Sequence, residues 1–242
     1  MLVLPMASAR VLSESEIQNL KSMVESKNTE ILKAKNIGIT NEWAWANVTF
    51  REEVKIKTPN YYKKLDYSNG ILREYDLCYK DKWTATLSNN VVMKTNFAWM
   101  YTLYRDFFGW FGMPDICAIR INEYSLNNFL ISRSLQRIPG YTGGPEGDLS
   151  ITFEEESLNG KDVIKVNAST GPGNTMVPCY LIYYDKNTLL AIKETRFTPG
   201  CKAVQEEHTY SYDLSNEIPI TEFDFFLPEG AKLCEDKMKE RC

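Results

Sequence analysis

The stretch between residues 176 and 234 constrains the fold more than any other part of this chain. Large apolar side chains occupy successive positions from Tyr180 to Tyr184, so a strand here carries apolar groups on both faces. Clusters of Asp, Asn, Pro and Gly at 185–188 and 198–200 are typical of tight turns. We therefore predict an antiparallel meander, followed by a short strand and a Pro-Glu-Gly turn, whose long strands are residues 180–184, 189–197 and 202–214.

Strands that are apolar on both faces need cover on both, or they line a cavity with an apolar wall.

This part of the chain also resembles a known family. The motifs similar to the C-terminal third of the LolA/LolB-like lipoprotein-carrier superfamily are the turn DKNT at 185–188, the strands LLAIKETRF at 189–197 and TYSYDL at 209–214, and the closing EFDFFLPEGAKL at 222–233. The rest of the chain follows that family only in the order of its elements.

The resemblance implies an incomplete barrel with helical cover, whose cavity receives the acyl chains of lipid-modified proteins. The cavity positions of that family are defined by shape and match no local motif here, so the resemblance assigns no individual binding residue. Six cysteines and a longer aromatic insert depart from the family pattern.

Composition limits the classes of function. A chain of 242 residues, 43% of them hydrophobic, can bury a sizeable core, and we expect residues 10–242 to form one domain. The net charge of −4 and the lack of a lysine or arginine cluster argue against nucleic acid as a partner. No apolar stretch reaches the length of a membrane span, so no transmembrane segment is expected.

The first nine residues combine a short apolar run with Ala7-Ser8-Ala9, which has the small-x-small form of a signal-peptidase site. A charged n-region is missing and the run is too short for a complete signal peptide. We interpret residues 1–9 as a signal-peptide remnant and expect a periplasmic or extracellular protein; a chance match is the alternative.

The cysteine count is even and lacks metal-finger spacing, with cysteines at Cys78, Cys117, Cys179, Cys201, Cys234 and Cys242. Disulfides in an oxidising compartment are one interpretation, and free buried thiols are the other. Cys179 and Cys201 open two strands of the predicted meander and lie at the same sheet end. Two strand spacings amount to about 10 Å, too far for a bridge without a bend, and the pairing stays open at this stage.

The remaining elements follow from local signals. Ser13 and Glu16 precede an amphipathic run and form an N-capping pattern, which predicts a helix to about residue 35. Asn69-Gly70 and Asn159-Gly160 are strong hairpin signals. Strand-forming alternation stops after residue 87, and the strands expected outside the meander are 43–57, 61–67, 71–80, 83–87, 149–158 and 161–168.

Between residues 95 and 138 apolar side chains recur every three or four positions, which predicts a helix that is apolar around most of its circumference. A second helix is expected at 126–135. The first helix is either plain core or a lid over an apolar cavity. As a lid, it would contact ligand through Met100, Tyr104, Phe107, Phe108 and Phe111. The partners expected from strands and from the closing segment, chosen by alternation alone, are Tyr75, Leu77, Trp83, Phe223 and Phe225.

The sequence shows little that is typical of an enzyme. Its single histidine, His208, cannot build a multi-histidine metal site and is interpreted as an ordinary strand residue. The consecutive acids 154–156 and 206–207 are interpreted as solvated strand faces. No nucleophile-elbow, zinc-protease, phosphate-loop or dinucleotide motif occurs. We predict no cofactor, no metal and no catalysis.

Taken together, these features predict an α+β fold: a curved antiparallel sheet forming an incomplete barrel, with an N-terminal helix and a helical insert covering the concave face. The predicted function is binding or carriage of a hydrophobic ligand, either a lipid or a lipoprotein acyl chain, with transient contact to a membrane or membrane protein. One alternative is a protein-recognising sensor or regulatory module with a filled cavity. The other is a hydrolase that uses assembled carboxylates.

Overall fold

The computed structural model describes residues 10–57, 61–79, 83–96, 124–132, 148–171 and 177–235. The chain divides into two compact units, and each is built from two separate pieces of sequence. The first unit comprises residues 1–32 and 120–210, and the second comprises residues 33–119 and 211–242.

The first unit begins with a short strand, β1 (Arg10–Val11), and a helix, α1 (Glu14–Leu32). The predicted N-cap is present as a capping box. The Ser13 amide donates to Glu16 Oε2 at 2.8 Å, and the Glu16 amide donates to Ser13 Oγ at 3.4 Å. These bonds and Arg10 lower the pKa of Glu16 to about 2, the Ser13 amide being the largest cause.

Five longer strands of the first unit form an antiparallel ladder beside β1. In order across the ladder they are β8 (Asp148–Leu158), β9 (Lys161–Gly171), β10 (Val177–Asp185), β11 (Ala191–Phe197) and β12 (Val204–Asp213), whose last residues belong to the second unit. Strand β1 pairs with β8.

One face of this ladder is apolar over β8, β9 and β10, because Phe153, Val166 and Ile182 stand opposite one another in register. All three side chains are buried. A short helix, α2 (Asn127–Ser132), contacts the same ladder, with the Phe129 ring stacked on Tyr180 at a centroid distance of 5.5 Å. The core of the first unit therefore lies between sheet and helix.

The second unit contains an antiparallel meander of six strands. They are β2 (Asn36–Trp45), β3 (Val48–Lys57), β4 (Tyr61–Ser68), β5 (Ile71–Tyr79), β6 (Trp83–Ser88) and β7 (Val91–Asn96). A last strand, β13 (Lys232–Glu235), pairs with β7 in parallel.

Three turns predicted from the sequence are confirmed as tips of antiparallel hairpins: Asn69-Gly70, Asn159-Gly160 and residues 185–188. Both residues of each Asn-Gly pair have positive φ, for example 48° at Asn69 and 74° at Gly70. Asn and Gly adopt this left-handed backbone more readily than other residues do, and it matches the twist of the flanking strands.

Two hairpins contradict the strand boundaries predicted from the sequence. The single strand expected at 43–57 is two strands, joined by a turn at Ala46 and Asn47 with φ of 47° and 66°. Strand formation also continues past residue 87, because Asn89-Asn90 turns the chain into β7. Residues 95–96, assigned by pattern to the aromatic helix, therefore belong to a strand.

The closing segment is not the short strand that its alternation suggested. Residues 220–223 form a 3₁₀ helix, residues 224–227 lie outside any strand, and a turn at Glu229-Gly230 leads into β13. A fold built mainly on antiparallel strands, with an N-terminal helix, is confirmed. Most of the predicted helical insert lies outside the described residues, so its cover of the sheet stays a prediction.

A disulfide joins Cys179 and Cys201, with their Cα atoms 4.7 Å apart, and this settles the pairing that the sequence left open. Cys201 does not open a strand: it lies in the turn before β12, with φ of 59°. The turn carries Cys201 back toward β10, where the register shifts between Pro178 and Tyr180. Cys78 and Cys234 are also disulfide-bonded, and no cysteine in the described ranges is free.

Candidate ligand-binding groove

The ligand-binding residues predicted on the aromatic helix fall outside the described ranges; they are Met100, Tyr104, Phe107, Phe108 and Phe111. The other five predicted residues all lie in the second unit. Tyr75, Leu77, Trp83 and Phe225 belong to one apolar cluster, and Phe223 packs beside it against Tyr61, with ring centroids 5.3 Å apart. Contact of these side chains with a ligand stays a prediction.

This cluster is covered by the chain's own closing segment. The Tyr75 hydroxyl donates a hydrogen bond to the Phe226 carbonyl oxygen at 3.0 Å, and the two rings lie 5.0 Å apart. The Trp83 ring meets Phe225 edge-on at 6.1 Å. Tyr75 and Leu77 are 1% and 2% exposed, so this face of the sheet is filled by protein where they lie.

Lysines on β3 and β4 hold the closing segment in place. Lys63 Nζ donates to the Glu222 carbonyl oxygen at 2.8 Å, and Lys57 Nζ donates to the Ile218 carbonyl oxygen at 2.8 Å. Lys55 Nζ lies 2.8 Å from Glu222 Oε2, and this bond holds the pKa of the Glu222 carboxyl below its usual range. The segment is thus tied to the sheet by charge as well as by aromatic packing.

An open groove of about 620 Å³ lies in the same unit, at the end of the sheet where β2 turns into β3. Trp43 and Phe50 are among its lining residues, and their rings stack with centroids 5.2 Å apart and planes 12° from parallel, on the sheet face opposite to Arg51 and Tyr67. The pair forms across the hairpin, because these two residues stand opposite each other in register. The lining is completed by Glu42, Ala44, Thr49, Arg51, Glu53, Tyr67 and Gly70.

Three of the residues that line the groove are charged. Arg51 Nη2 lies 2.8 Å from Glu53 Oε1, and Arg51 Nε lies 3.8 Å from Glu42 Oε1. One arginine and two glutamates carry a formal charge of −1, so they disfavour a strongly anionic ligand. The arrangement suits an amphipathic molecule with an apolar part against Tyr67 and a polar, uncharged group near Arg51.

A second groove, of about 420 Å³, adjoins the first and shares Arg51 and Glu53 with it. Its other side is formed by the segment that follows β12, including Asp213, Asn216 and Glu217. The walls are mainly polar, so this groove is a weaker candidate for an apolar ligand.

The first unit contains a buried polar cluster that the sequence interpretation missed. Glu194 is 3% exposed; its carboxylate accepts a hydrogen bond from the Tyr210 hydroxyl and forms an ion pair with Arg196. His208 is also buried, with Nε2 at 3.2 Å from Glu206 Oε2. His208 is a strand residue, as interpreted, but Glu206, which was interpreted as solvated, has a side chain that is only 18% exposed.

Residue spacing contained a signal for this cluster. Glu194 and Arg196 are two apart on β11, and Glu206, His208 and Tyr210 are two apart on β12, so each set lies on one strand face. What sequence could not supply was the register that places Glu194 opposite His208. The cluster is saturated with internal bonds and closed to solvent around Glu194, which offers a substrate little access.

The buried polar cluster leads to a prediction about the stability of the fold at alkaline pH. Burial, followed by the nearby Glu194 charge, raises the pKa of Tyr210 and of Tyr180 far above the usual value for tyrosine. Their neutral forms therefore stabilise the fold fully below the unfolded pKa of about 10, and this stabilisation is lost as the pH rises above it. A spectrophotometric titration should show a tyrosine class that ionises only on unfolding, and Tyr210→Phe should remove one member. Reversible ionisation of all tyrosines in a single step near pH 10, with the fold intact, would contradict this.

Within the described ranges no group of three or more His, Cys, Asp or Glu side chains is arranged to hold a metal ion. The same part of the chain has no helix that is both long and apolar enough to cross a membrane.

No protein-family model matches the sequence, and the comparison with curated proteins also finds no match. Among solved structures, the chain is similar to an uncharacterised conserved protein from Thermus thermophilus, with a TM-score of 0.46 and 9% identity over 89% of this chain and 98% of the other. It is similar to MucB in complex with MucA, with a TM-score of 0.39 and 8% identity over 88% of this chain and 62% of MucB.

A LolA superfamily protein from Nitrosomonas europaea also matches, with a TM-score of 0.25 and 13% identity over 85% of this chain and 97% of the other. This last protein belongs to the superfamily that the motifs at 185–233 resemble.

Proposed function

We propose that this is an exported protein that binds an amphipathic or hydrophobic ligand, such as a lipid acyl chain, without transforming it chemically. The observation that carries the proposal is the open groove in the second unit, whose lining places Tyr67 beside Arg51. Its volume of about 620 Å³ lies within the range of roughly 300–1,000 Å³ that is usual for small-molecule sites.

Two further observations support parts of the proposal. The disulfide between Cys179 and Cys201, and the bonded state of Cys78 and Cys234, favour an oxidising compartment and hence export. The polar cluster around Glu194 is closed by its own hydrogen bonds, which favours binding over hydrolysis. The aromatic residues at 100–111 are proposed as additional cover for the ligand.

Ligand binding in the groove can be tested by a substitution that fills the groove with a larger side chain. Ala44 lines the groove at an exposed strand position, so Ala44→Trp should add an indole there without disturbing the core. Each buried methylene contributes about 0.8 kcal/mol, so displacing two of them should weaken binding of an uncharged fluorescent monoacylglycerol probe by about tenfold. Titration of the probe in vesicle-free buffer measures the effect.

Thr86→Trp is the matched control, because Thr86 is an exposed strand residue outside the groove lining. It should bind the probe as the wild type does. Equal binding by wild type and Ala44→Trp would place the ligand elsewhere. Native mass spectrometry of the purified protein, followed by lipid extraction, should detect co-purifying lipid.

A second candidate function is a protein-recognising sensor on the same fold, and one observation favours it. Tyr75 is packed against the closing segment, and Phe223 of that segment packs on Tyr61, so part of the predicted cavity is filled. This candidate predicts that the wild-type protein binds no acyl probe and that no lipid co-purifies with it.

A further inference from the structure

Three hairpin tips of the second unit lie at one end of its sheet, here called the hairpin end. Because β2 to β7 form an antiparallel meander, the turns after β2, β4 and β6 share that end. Two of the tips are tied to each other. The Asn69 amide donates to the Thr49 carbonyl oxygen at 2.8 Å, and the Thr49 amide donates to Asn69 Oδ1 at 3.0 Å.

The three hairpins themselves carry no charge at the hairpin end, and the exposed Lys232 at the start of β13 stands beside the third tip, where its amide donates to the Asn90 carbonyl oxygen at 2.9 Å. Residues 43–50, 67–72 and 83–93, which contain the three tips, include no Asp, Glu, Lys or Arg. Charges resume immediately behind the first two tips and are of both signs, with Glu42 and Arg51 behind one and Asp66 and Arg73 behind the other.

Large apolar side chains are exposed on the three hairpins that form the hairpin end. Trp45 is 52% exposed and Ile71 is 57% exposed, and each stands directly beside a tip. Met93 in β7 is 49% exposed. Behind Trp45, the stacked rings of Trp43 and Phe50 continue the apolar surface toward the sheet.

We propose that the hairpin end docks on the interfacial region of a zwitterionic phospholipid bilayer. An indole ring has an apolar body and a polar N–H, so tryptophan is favoured at the level of the lipid head groups. Asn and Gly at the tips supply polar groups that head groups and water can satisfy. The charged residues behind the tips stay in water.

Dimensions and charge both favour a bilayer over other occupants. The stretch of β2 from Trp43 to Trp45 spans about 7–10 Å at roughly 3.3 Å per residue, which matches the depth of about 5–10 Å reached by interfacial segments. Because the flanking charges are mixed and the chain carries a net charge of −4, anionic lipid should not be required.

The groove is lined in part by Trp43, Thr49 and Gly70, which belong to the two tied hairpins. Docking would therefore also bring the groove to the membrane. The inference does not rest on the proposed function, because docking needs only the exposed side chains. The two are measured separately: docking with vesicles, and the groove with an acyl probe in their absence.

The test uses the full chain with phosphatidylcholine vesicles and a double variant, Trp45→Ser with Ile71→Ser. The control is Val11→Ser with Val204→Ser, which removes two apolar side chains that are 60% and 53% exposed in the first unit. We expect wild type and control to co-float with vesicles and the Trp45/Ile71 variant to lose most of this binding. Brominated phosphatidylcholine should quench the tryptophan fluorescence of the wild type and the control.

Three results would overturn the proposal: no flotation of the wild type, equal flotation of both variants, or flotation only with anionic lipid. A fourth is a fall in solution mass by light scattering for the Trp45/Ile71 variant, which would assign the hairpin end to a second copy of the chain. An acyl probe that still binds both variants without vesicles would show that the groove functions even where docking fails.

Discussion

Phe223→Ala is expected to lower the free energy of unfolding by about 3–5 kcal/mol. The Phe223 side chain is 2% exposed and packs on the Tyr61 ring at 5.3 Å. Its removal leaves a cavity between the closing segment and the sheet, and the lysine contacts that anchor the segment limit how far it can collapse. Denaturant unfolding monitored by tryptophan fluorescence measures the change.

Thr221→Ala is the control, because Thr221 is exposed in the same 3₁₀ turn and should change stability by no more than about 0.5 kcal/mol. A loss below about 1 kcal/mol for Phe223→Ala would mean that the segment is only loosely seated on the sheet. In that case, the face carrying Tyr75 and Leu77 would become available to a ligand, and the second candidate function would lose its supporting observation.

Replacing Cys179 and Cys201 together with serine is expected to cost about 2–4 kcal/mol of stability. The disulfide closes a loop with a sequence separation of 22 residues, and its loss returns that loop's conformational freedom to the unfolded chain. Thermal unfolding of the double variant under non-reducing conditions measures the effect without touching Cys78 or Cys234, which are also bonded.

A reducing agent acts on all the disulfides at once, so its effect on the wild type should exceed that of the double variant. The double variant should in turn be less sensitive to reduction than the wild type. An unchanged melting temperature for the double variant would show that the turn before β12 is held by its other contacts, such as the Cys201 amide bond to the Thr198 carbonyl oxygen at 2.8 Å.

The sequence predicted the two Asn-Gly turns and missed the turns at Ala46-Asn47 and Asn89-Asn90. Asn69-Gly70 and Asn159-Gly160 supply two residues that accept positive φ, so the dipeptide itself specifies the turn. Ala46 has positive φ without being a residue that favours it, so its turn depends on the pairing of β2 with β3. Residues 43–57 therefore read as one strand.

The groove could not be predicted from the sequence, because it too depends on how the strands pair. Trp43 and Phe50 were placed on one strand, seven residues apart, whereas the hairpin puts them face to face. Arg51 and Tyr67 meet across β3 and β4, a register that alternation cannot define. Tyr75, Leu77 and Trp83, in contrast, share a cluster because the face on which a strand residue lies follows from parity alone, whereas Phe225 joins them from outside any strand.

Both units are discontinuous in sequence, and this has a consequence for the order in which the protein acquires structure. Each unit consists of two separate pieces of sequence. During synthesis from the N-terminus, the second unit therefore begins before the first is complete. Helix α1 must wait for residues 120–210, and the apolar face at Tyr75 and Leu77 stays bare until the closing segment arrives. Such late, long-range closure slows folding and prolongs the exposure of aggregation-prone strands.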